Sequence, residues 1–177
     1  MTFAAMNLQS NDFELFELPA RFSQDRAAID AQWKALQRQA HPDKFAAQAG
    51  TAQRLAMQWS VRINEAYQRL KDPLRRAAYL CELHGSPINA ENNTAMPVDF
   101  LMQQIEWREA LDEATTLADL EAISDRAIAT SNEALAKVKQ CIDDESDFPH
   151  AVQWVRSLMF LERFSSEVDM RIDQLGQ

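Results

Sequence analysis

Glycine is nearly absent from this chain, and no other feature of the sequence constrains the fold as strongly. The 177 residues include 3 glycines and 6 prolines, whereas alanine, leucine, glutamine and glutamate are abundant. Glycine and proline interrupt helices, and the abundant residue types are among the best helix formers. The composition therefore predicts an all-α fold in which long helices are joined by few turns.

Four helices are predicted in the first half of the chain. Their expected bounds are Phe13 to Leu18, Ser23 to Ala40, Thr51 to Lys71 and Asp72 to His84. Ser23 and Asp72 are candidate N-caps, and Gly85 should follow the end of the fourth helix. Pro42 should end the second helix because proline disfavours helical geometry at the residue before it. The third helix has an apolar stripe that begins with Leu55 and Trp59. Because both long helices are amphipathic, we expect them to pack as an antiparallel hairpin with short flanking helices.

A stretch rich in turn formers, GSPINAENNTAMP, separates the two halves of the chain. We expect it to connect a domain of residues 1–84 to a domain of residues 97–177, with residues 85–96 as the linker. Three longer helices are predicted beyond it, spanning Pro97 to Ala114, Thr116 to Val138 and Pro149 to Ile172. The spacing of Thr116 and Asp119 is that of a capping box. Each has an apolar stripe, so the second domain should be a three-helix bundle.

Charge is distributed unevenly, and this argues against two classes of partner. Residues 85–177 contain 18 acidic and 7 basic side chains, and the whole chain has a net charge of -9. A protein that binds nucleic acid needs basic residues to neutralise phosphates, so nucleic acid is not an expected partner. No apolar run approaches the length of about 18 residues that a membrane span requires, so we expect no membrane insertion.

The cysteines and histidines do not form a recognisable catalytic or metal-binding pattern. Cys81 and Cys141 are far apart and belong to no CxxC motif, which argues against a disulfide framework or a zinc site and favours a reducing compartment. Cys81 and His84 could touch on one helix, but the pair more often has a packing role. An enzyme that uses His41 and Asp43 remains an alternative, although no nucleophile motif accompanies them. We expect no cofactor and no bound metal.

The tripeptide His41-Pro42-Asp43 lies between the two long helices of the first half. A rigid turn at the end of a hairpin presents polar groups at a low entropic cost of binding, so it suits recognition by another protein. Lys34 and Arg38 should face away from the core of the second helix, at about 140° and 180° from its apolar centre. Lys44 follows the turn. These positive charges would suit an acidic partner, although a charge pair of this kind more often belongs to an ordinary solvated helix face.

Several segments of the sequence resemble one family of proteins. LQRQAHPDKF followed by INEAYQRLKDPLRRAAYL is similar to the J-domain of DnaJ-type co-chaperones. ELFELPARF, AAYLCELHG, FLMQQIEWREALDEA and VRSLMFLERF are similar to HscB, the J-type co-chaperone of iron–sulfur cluster assembly. The resemblance extends from about Asp12 to the last helix. The chain lacks the N-terminal cysteine motifs of eukaryotic members, which is typical of the bacterial form.

The helix predicted over residues 97–114 has two apolar faces. At about 100° per residue, Phe100, Trp107 and Leu111 fall on one face, which should form the core. The other face contains apolar and acidic residues, namely Leu101, Met102, Ile105, Glu106, Glu109 and Glu113. An apolar patch with an acidic rim is typical of an interface, although the patch could instead pack against the J-domain or a neighbouring helix. Phe160 falls outside the apolar stripe of the last helix and could complete the patch.

The resemblance to the HscB family implies a role for each of these surfaces. His41, Pro42 and Asp43, supported by Lys34, Arg38 and Lys44, would dock on an HscA-type chaperone and stimulate its ATPase. The residues expected to bind an IscU-type iron–sulfur scaffold protein are Leu101, Met102, Ile105, Glu106, Glu109, Glu113 and Phe160. The protein would bridge these partners in the bacterial cytoplasm without catalysing a reaction. A J-domain co-chaperone with a different client is the main alternative.

Overall fold

The structure is a computed structural model that describes residues 9–41, 50–89 and 96–175, and all regular secondary structure in these ranges is helical. The helices in chain order are α1 (Asp12–Leu15), α2 (Arg26–Ala40), α3 (Gly50–Lys71), α4 (Pro73–Leu83), α5 (Val98–Glu113), α6 (Leu117–Lys139) and α7 (Phe148–Leu175). The predicted all-α class is therefore confirmed. The chain divides into two compact units, residues 1–79 and 80–177, and the division falls within α4. Residues 90–95 of the predicted linker lie outside the described ranges.

An antiparallel hairpin of α2 and α3 forms the centre of the first unit, as predicted. Side chains near the start of α2 contact the end of α3, since Arg26 donates a hydrogen bond to the carbonyl oxygen of Lys71. At the other end, the hydroxyl of Ser60 donates to the carbonyl oxygen of Ala40. The hairpin buries apolar side chains from both helices, namely Ile29, Leu36, Ala40, Ala56, Trp59, Ile63, Ala66 and Leu70.

Two details of the hairpin differ from the sequence-based expectation. The N-cap of α2 is Asp25, whose carboxylate accepts a hydrogen bond from the backbone N–H of Ala27, so the predicted Ser23 cap is wrong. Leu55 is 41% exposed and the neighbouring Ala56 is buried, so the stripe of α3 begins one residue later than predicted. Leu55 and Ala56 lie four and three residues before the buried Trp59, so both fit the helical period and spacing alone does not distinguish them.

A buried carboxylate attaches α1 to the hairpin. Asp12 is fully buried, and its oxygens lie 2.7 Å from guanidinium nitrogens of Arg62 and Arg69, both on α3. The backbone N–H of Asp12 donates to the hydroxyl of Tyr79. Burial of this hydroxyl raises the pKa of Tyr79 above its ordinary value. These contacts give α1, which is only one turn long, a fixed position that its length alone could not provide.

The two ends of α4 follow from local sequence signals. The carboxylate of Asp72 accepts a hydrogen bond from the backbone N–H of Arg75, the contact expected of the predicted N-cap. At the other end, Gly85 has a φ of 74°, a left-handed conformation that side chains disfavour. The backbone N–H groups of Gly85 and Ser86 donate to the carbonyls of Glu82 and Cys81. This hydrogen-bond pair is the Schellman motif that commonly ends a helix at glycine.

The second unit contains a three-helix bundle of α5, α6 and α7, in agreement with the prediction. Phe100, Trp107 and Leu111 are the buried residues of α5, so the predicted core face of this helix is confirmed. The predicted capping box that begins α6 is also present, between Thr116 and Asp119. A π-helical turn, Gln140–Asp144, follows α6 and was not predicted. It buries Cys141 and Ile142 before the chain enters α7.

Candidate protein-interaction surfaces

His41 is the residue at which α2 ends. It is the C-cap of the helix and has extended backbone angles, φ -62° and ψ 124°, which agrees with the restriction that a following proline imposes. Its side chain is exposed. Pro42, Asp43 and Lys44, which complete the predicted docking turn, lie outside the described residues. The structure therefore locates the first residue of this turn at one end of the hairpin.

A basic face adjoins this end of α2. Lys34 and Arg38 are both exposed and lie one helical turn apart, as the helical period predicted. They line an open cleft of about 600 Å³ together with Trp33, Gln37 and Asn64. This places the two predicted cations on a concave surface shared by α2 and α3. A concave basic surface can contact a protruding acidic partner more extensively than a convex helix face can.

Asn64 organises the floor of that cleft, and the sequence analysis did not identify it. Its side-chain oxygen accepts hydrogen bonds from the indole of Trp33 at 3.0 Å and the amide of Gln37 at 2.7 Å. Trp33 also stacks on Tyr67, with ring centroids 4.7 Å apart. Trp33 lies four residues after the buried Ile29, but it is only half-buried because its indole N–H faces this polar partner.

A hydrogen-bond network supports the opposite end of the hairpin. The pKa of Asp30 is lowered because Arg26 and then Tyr67 donate hydrogen bonds to its carboxylate. Arg26 also extends over the ring of Tyr67, with 5.8 Å between its guanidinium carbon and the ring centroid. Tyr67 is therefore held by contacts with both helices of the hairpin. Its position in turn supports Trp33 in the neighbouring cleft.

An exposed apolar stripe runs along α5, which we call the α5 patch: Val98, Leu101, Met102 and Ile105. Their exposed fractions are 72%, 40%, 64% and 62%. Three of the four were predicted to be exposed, and the alternative of packing against a neighbouring helix is not observed for them. Val98 was missed, although it lies three residues before Leu101 and so continues the same face. The opposite face of α5 supplies the core, so the helix presents two apolar faces.

Acidic residues border the α5 patch. Glu106, Glu109 and Glu113 are all exposed, as predicted. In the described part of the chain, the ion pairs of α5 involve other residues, since Arg108 pairs with Glu167 and Asp112 with Arg171. The three glutamates therefore form an acidic border that none of these ion pairs includes.

Phe160 lies in an aromatic cluster. Its ring centroid is 5.8 Å from that of Phe100, 6.4 Å from Trp107 and 5.9 Å from Phe164. The guanidinium of Arg108 extends over the ring at 5.8 Å. The side chain is only half-buried, so part of it remains accessible, but most of its packing supports the junction of α5 and α7. Substitution of Phe160 would therefore affect the stability of the bundle.

Cys81 and His84 both have packed environments at the end of α4, and Asp43, the proposed partner of His41, lies outside the described residues. Burial raises the pKa of the Cys81 thiol to about 12, so this thiol is protonated and a poor nucleophile near neutral pH. The Nδ1 atom of His84 lies 2.8 Å from the carbonyl oxygen of Leu80, and its ring stacks on Phe148. In the described ranges, no cluster of three or more His, Cys, Asp or Glu residues could hold a metal ion. None of the helices described is both long and apolar enough to cross a membrane.

Comparisons with known proteins identify relatives along nearly the whole chain. A family model described as the HSCB C-terminal oligomerisation domain matches residues 96–169. The co-chaperone protein HscB homolog of Burkholderia thailandensis is 46% identical over 173 residues, which are 96% of this chain and 98% of that protein.

Two solved structures extend the likeness from sequence to fold. Chaperone HscB from Vibrio cholerae has a TM-score of 0.80 and 36% identity, with 94% of this chain and 99% of that chain covered. The human co-chaperone protein HscB has a TM-score of 0.87 and 26% identity, with 94% and 84% covered. The fold, the sequence identity and the coverage all match these co-chaperones, and the chain belongs to the HscB family of co-chaperones.

Proposed function

We propose that this protein stimulates ATP hydrolysis by an HscA-type chaperone and delivers an IscU-type iron–sulfur scaffold protein to it. The observation that carries the proposal is the second apolar face of α5. The bundle needs only one buried face, formed by Phe100, Trp107 and Leu111. An additional exposed stripe of four large apolar residues, bordered by glutamates, has the composition of a protein-binding surface.

The chaperone would dock on the first unit. His41-Pro42-Asp43 would insert as a preorganised turn, because the proline restricts the backbone before binding and reduces the entropy lost on association. Lys34 and Arg38 would attract an acidic surface of the chaperone, and Lys44 would add to this charge. Membership of a co-chaperone family supports a chaperone as the partner. The HscA type is the finer assignment that we propose.

The scaffold protein would dock on the second unit. Leu101, Met102 and Ile105 would supply apolar contacts, and Phe160 would contribute its accessible edge. Glu106, Glu109 and Glu113 would select a partner with basic residues around an apolar centre. Binding both proteins at once raises the effective concentration of scaffold at the chaperone. The expected result is faster transfer of clusters to recipient proteins.

We further propose that the protein acts without catalysing a reaction of its own, in the bacterial cytoplasm. Its relatives are named co-chaperones, and the curated relative described above is bacterial. The raised pKa of Cys81 and the packed position of His84 also argue against a catalytic pair at the end of α4. Turnover of ATP is therefore assigned to the chaperone.

Arg38→Ala tests the proposed chaperone surface. We expect the concentration of this protein that gives half-maximal ATPase stimulation to rise by about fivefold, because an exposed charge contributes mainly to encounter and modestly to affinity. Maximal stimulation should change less. The measurement is steady-state phosphate release by an HscA-type chaperone, with circular dichroism to establish that the variant folds.

Arg75→Ala provides the matched control for this experiment. Arg75 is also an exposed arginine of the first unit, but it lies on α4 and is not among the residues that line the basic cleft. The Arg75→Ala variant should stimulate the chaperone as strongly as the wild-type protein does. Equal stimulation curves for wild type and Arg38→Ala would refute the assignment of the α2 face to the chaperone.

A further inference from the structure

A second concave surface lies within the three-helix bundle, beside the α5 patch. This groove has a volume of about 550 Å³ and is formed by residues of α5, α6 and α7. Phe100 of α5 and Trp154 of α7 supply apolar and aromatic surface. Asp99 and Glu106 of α5 and Glu133 of α6 add carboxylates from two different helices. The groove therefore combines an aromatic wall with a set of acidic groups.

The carboxylates of the groove take no part in the ion pairs found among the described residues. Among the described residues of the bundle, the ion pairs involve Arg108, His150 and Arg171, and none includes a groove carboxylate. Lys137 is the basic residue among those that line the groove. Three carboxylates and one ammonium give a net negative charge. A concave acidic surface concentrates its potential inside the cleft, so it attracts a cation more strongly than the same charges on a flat surface.

The aromatic wall restricts which cation would fit. Trp154 presents an indole whose N–H is buried and has no hydrogen-bond partner in the described structure. An indole face is the best aromatic partner for a cation, and apolar walls accommodate the methylene stem of a long side chain. Arginine and lysine carry both a stem and a charged head. A small inorganic cation would leave the aromatic surface without a contact.

We propose that this groove is a subsite for an arginine or lysine side chain of the protein that binds the α5 patch. The inference rests on the proposed function, because Met102 and Glu106 line the groove and also belong to the surface proposed for the scaffold protein. A partner seated on the α5 patch would extend over the edge of α5 toward α6. A basic side chain at that edge would enter the groove, with its stem against Trp154 and its head among the carboxylates.

Glu133→Gln tests the groove separately from the patch. Glu133 lies on α6, outside the predicted scaffold-binding residues, and the substitution removes charge while preserving shape. We expect the dissociation constant for an IscU-type scaffold protein to rise by about threefold to tenfold, the range for a charge-assisted contact that is partly screened. The effect should diminish as salt is raised. Isothermal titration calorimetry at two ionic strengths measures both quantities.

Glu121→Gln is the matched control, because Glu121 is an exposed glutamate on the opposite side of α6. The Glu121→Gln variant should bind the scaffold protein with wild-type affinity. If Glu133→Gln binds scaffold with wild-type affinity and salt dependence, the groove inference is overturned and the proposed function stands. If wild type itself does not bind scaffold, the proposed function fails together with the inference about the scaffold's side chain.

A small probe examines the groove without the scaffold protein. N-acetyl-arginine amide should shift the indole N–H resonance of Trp154 in a nitrogen–proton NMR spectrum at millimolar concentration. Trp154→Phe identifies that resonance by its disappearance. Glu133→Gln should reduce the shift, and Glu121→Gln should not. A Trp154 resonance that does not move in the wild-type protein would overturn the assignment of a cationic subsite.

Discussion

Replacing Leu101 and Ile105 together by alanine should weaken binding of an IscU-type scaffold protein by about a hundredfold. The two side chains are 40% and 62% exposed on the α5 patch. Central apolar residues of an interface contribute about 1–2 kcal/mol each when truncated, and two such losses correspond to roughly two orders of magnitude in affinity. Isothermal titration calorimetry measures the change. Because neither side chain belongs to the core, the free energy of unfolding should change by less than about 0.5 kcal/mol for each residue.

Ile128→Ala is the control for this double variant. Ile128 is 55% exposed on α6, so its truncation removes a similar apolar surface from a different place. It should bind scaffold with wild-type affinity. Unchanged affinity in the double variant would contradict the assignment of the α5 patch to the scaffold. Binding of an unfolded polypeptide to the patch, in preference to the folded scaffold, would support the alternative of a different client.

Trp107→Ala should lower the free energy of unfolding of the second unit by about 3–5 kcal/mol, the typical cost of removing a large buried aromatic side chain. Trp107 is 1% exposed. Its ring stacks on Phe164 at 5.6 Å and meets Phe100 edge-on at 5.9 Å. Alanine would leave a cavity at the centre of this cluster. Urea unfolding followed by far-ultraviolet circular dichroism measures the loss.

Trp107→Phe separates ring packing from the polar atom of the indole. The indole N–H of Trp107 is buried and has no hydrogen-bond partner among the described residues. Phenylalanine preserves an aromatic ring and removes this unsatisfied donor, so we expect a loss below about 1.5 kcal/mol. A loss below about 1 kcal/mol for Trp107→Ala would contradict the central packing role of the cluster.

Local signals in the sequence predicted much of the helical framework. Asp72 begins α4, Thr116 begins α6 and Gly85 ends α4, because each of these features depends on residues within one helical turn. The prediction of Ser23 as the N-cap of α2 was wrong. Ser23 and Asp25 both suit an N-cap, and the choice between them depends on where α2 meets the rest of the unit, which local sequence does not encode.

Features that depend on several helices were predicted less well. The helical period separated the two faces of α5, since both faces are properties of a single helix. It could not show that Phe160 joins rings from α5, because that contact requires the packing of α7 against α5. Asn64 was missed for a similar reason. Its partners, Trp33 and Gln37, belong to the other helix of the hairpin.

Among the surfaces proposed for binding, those on a single helix could also be predicted from the sequence, and the one formed by several helices could not. Lys34, Arg38 and the α5 residues could be assigned to exposed faces from spacing alone. The groove beside the α5 patch could not, because Glu133 and Trp154 approach Glu106 only when three helices assemble. A sequence without the structure therefore indicates which helix faces are available, and the structure shows which of them combine into a concave site.

The most direct test of the account is the rate of ATP hydrolysis by an HscA-type chaperone in the presence of this protein, with and without an IscU-type scaffold protein. Wild type should stimulate hydrolysis, and wild type with scaffold should stimulate it by more than the sum of the two separate effects. His41→Gln should reduce the rate to that of the chaperone with scaffold alone while leaving scaffold affinity unchanged. Equal stimulation by wild type and His41→Gln, or no stimulation by either, would contradict the proposed bridging function.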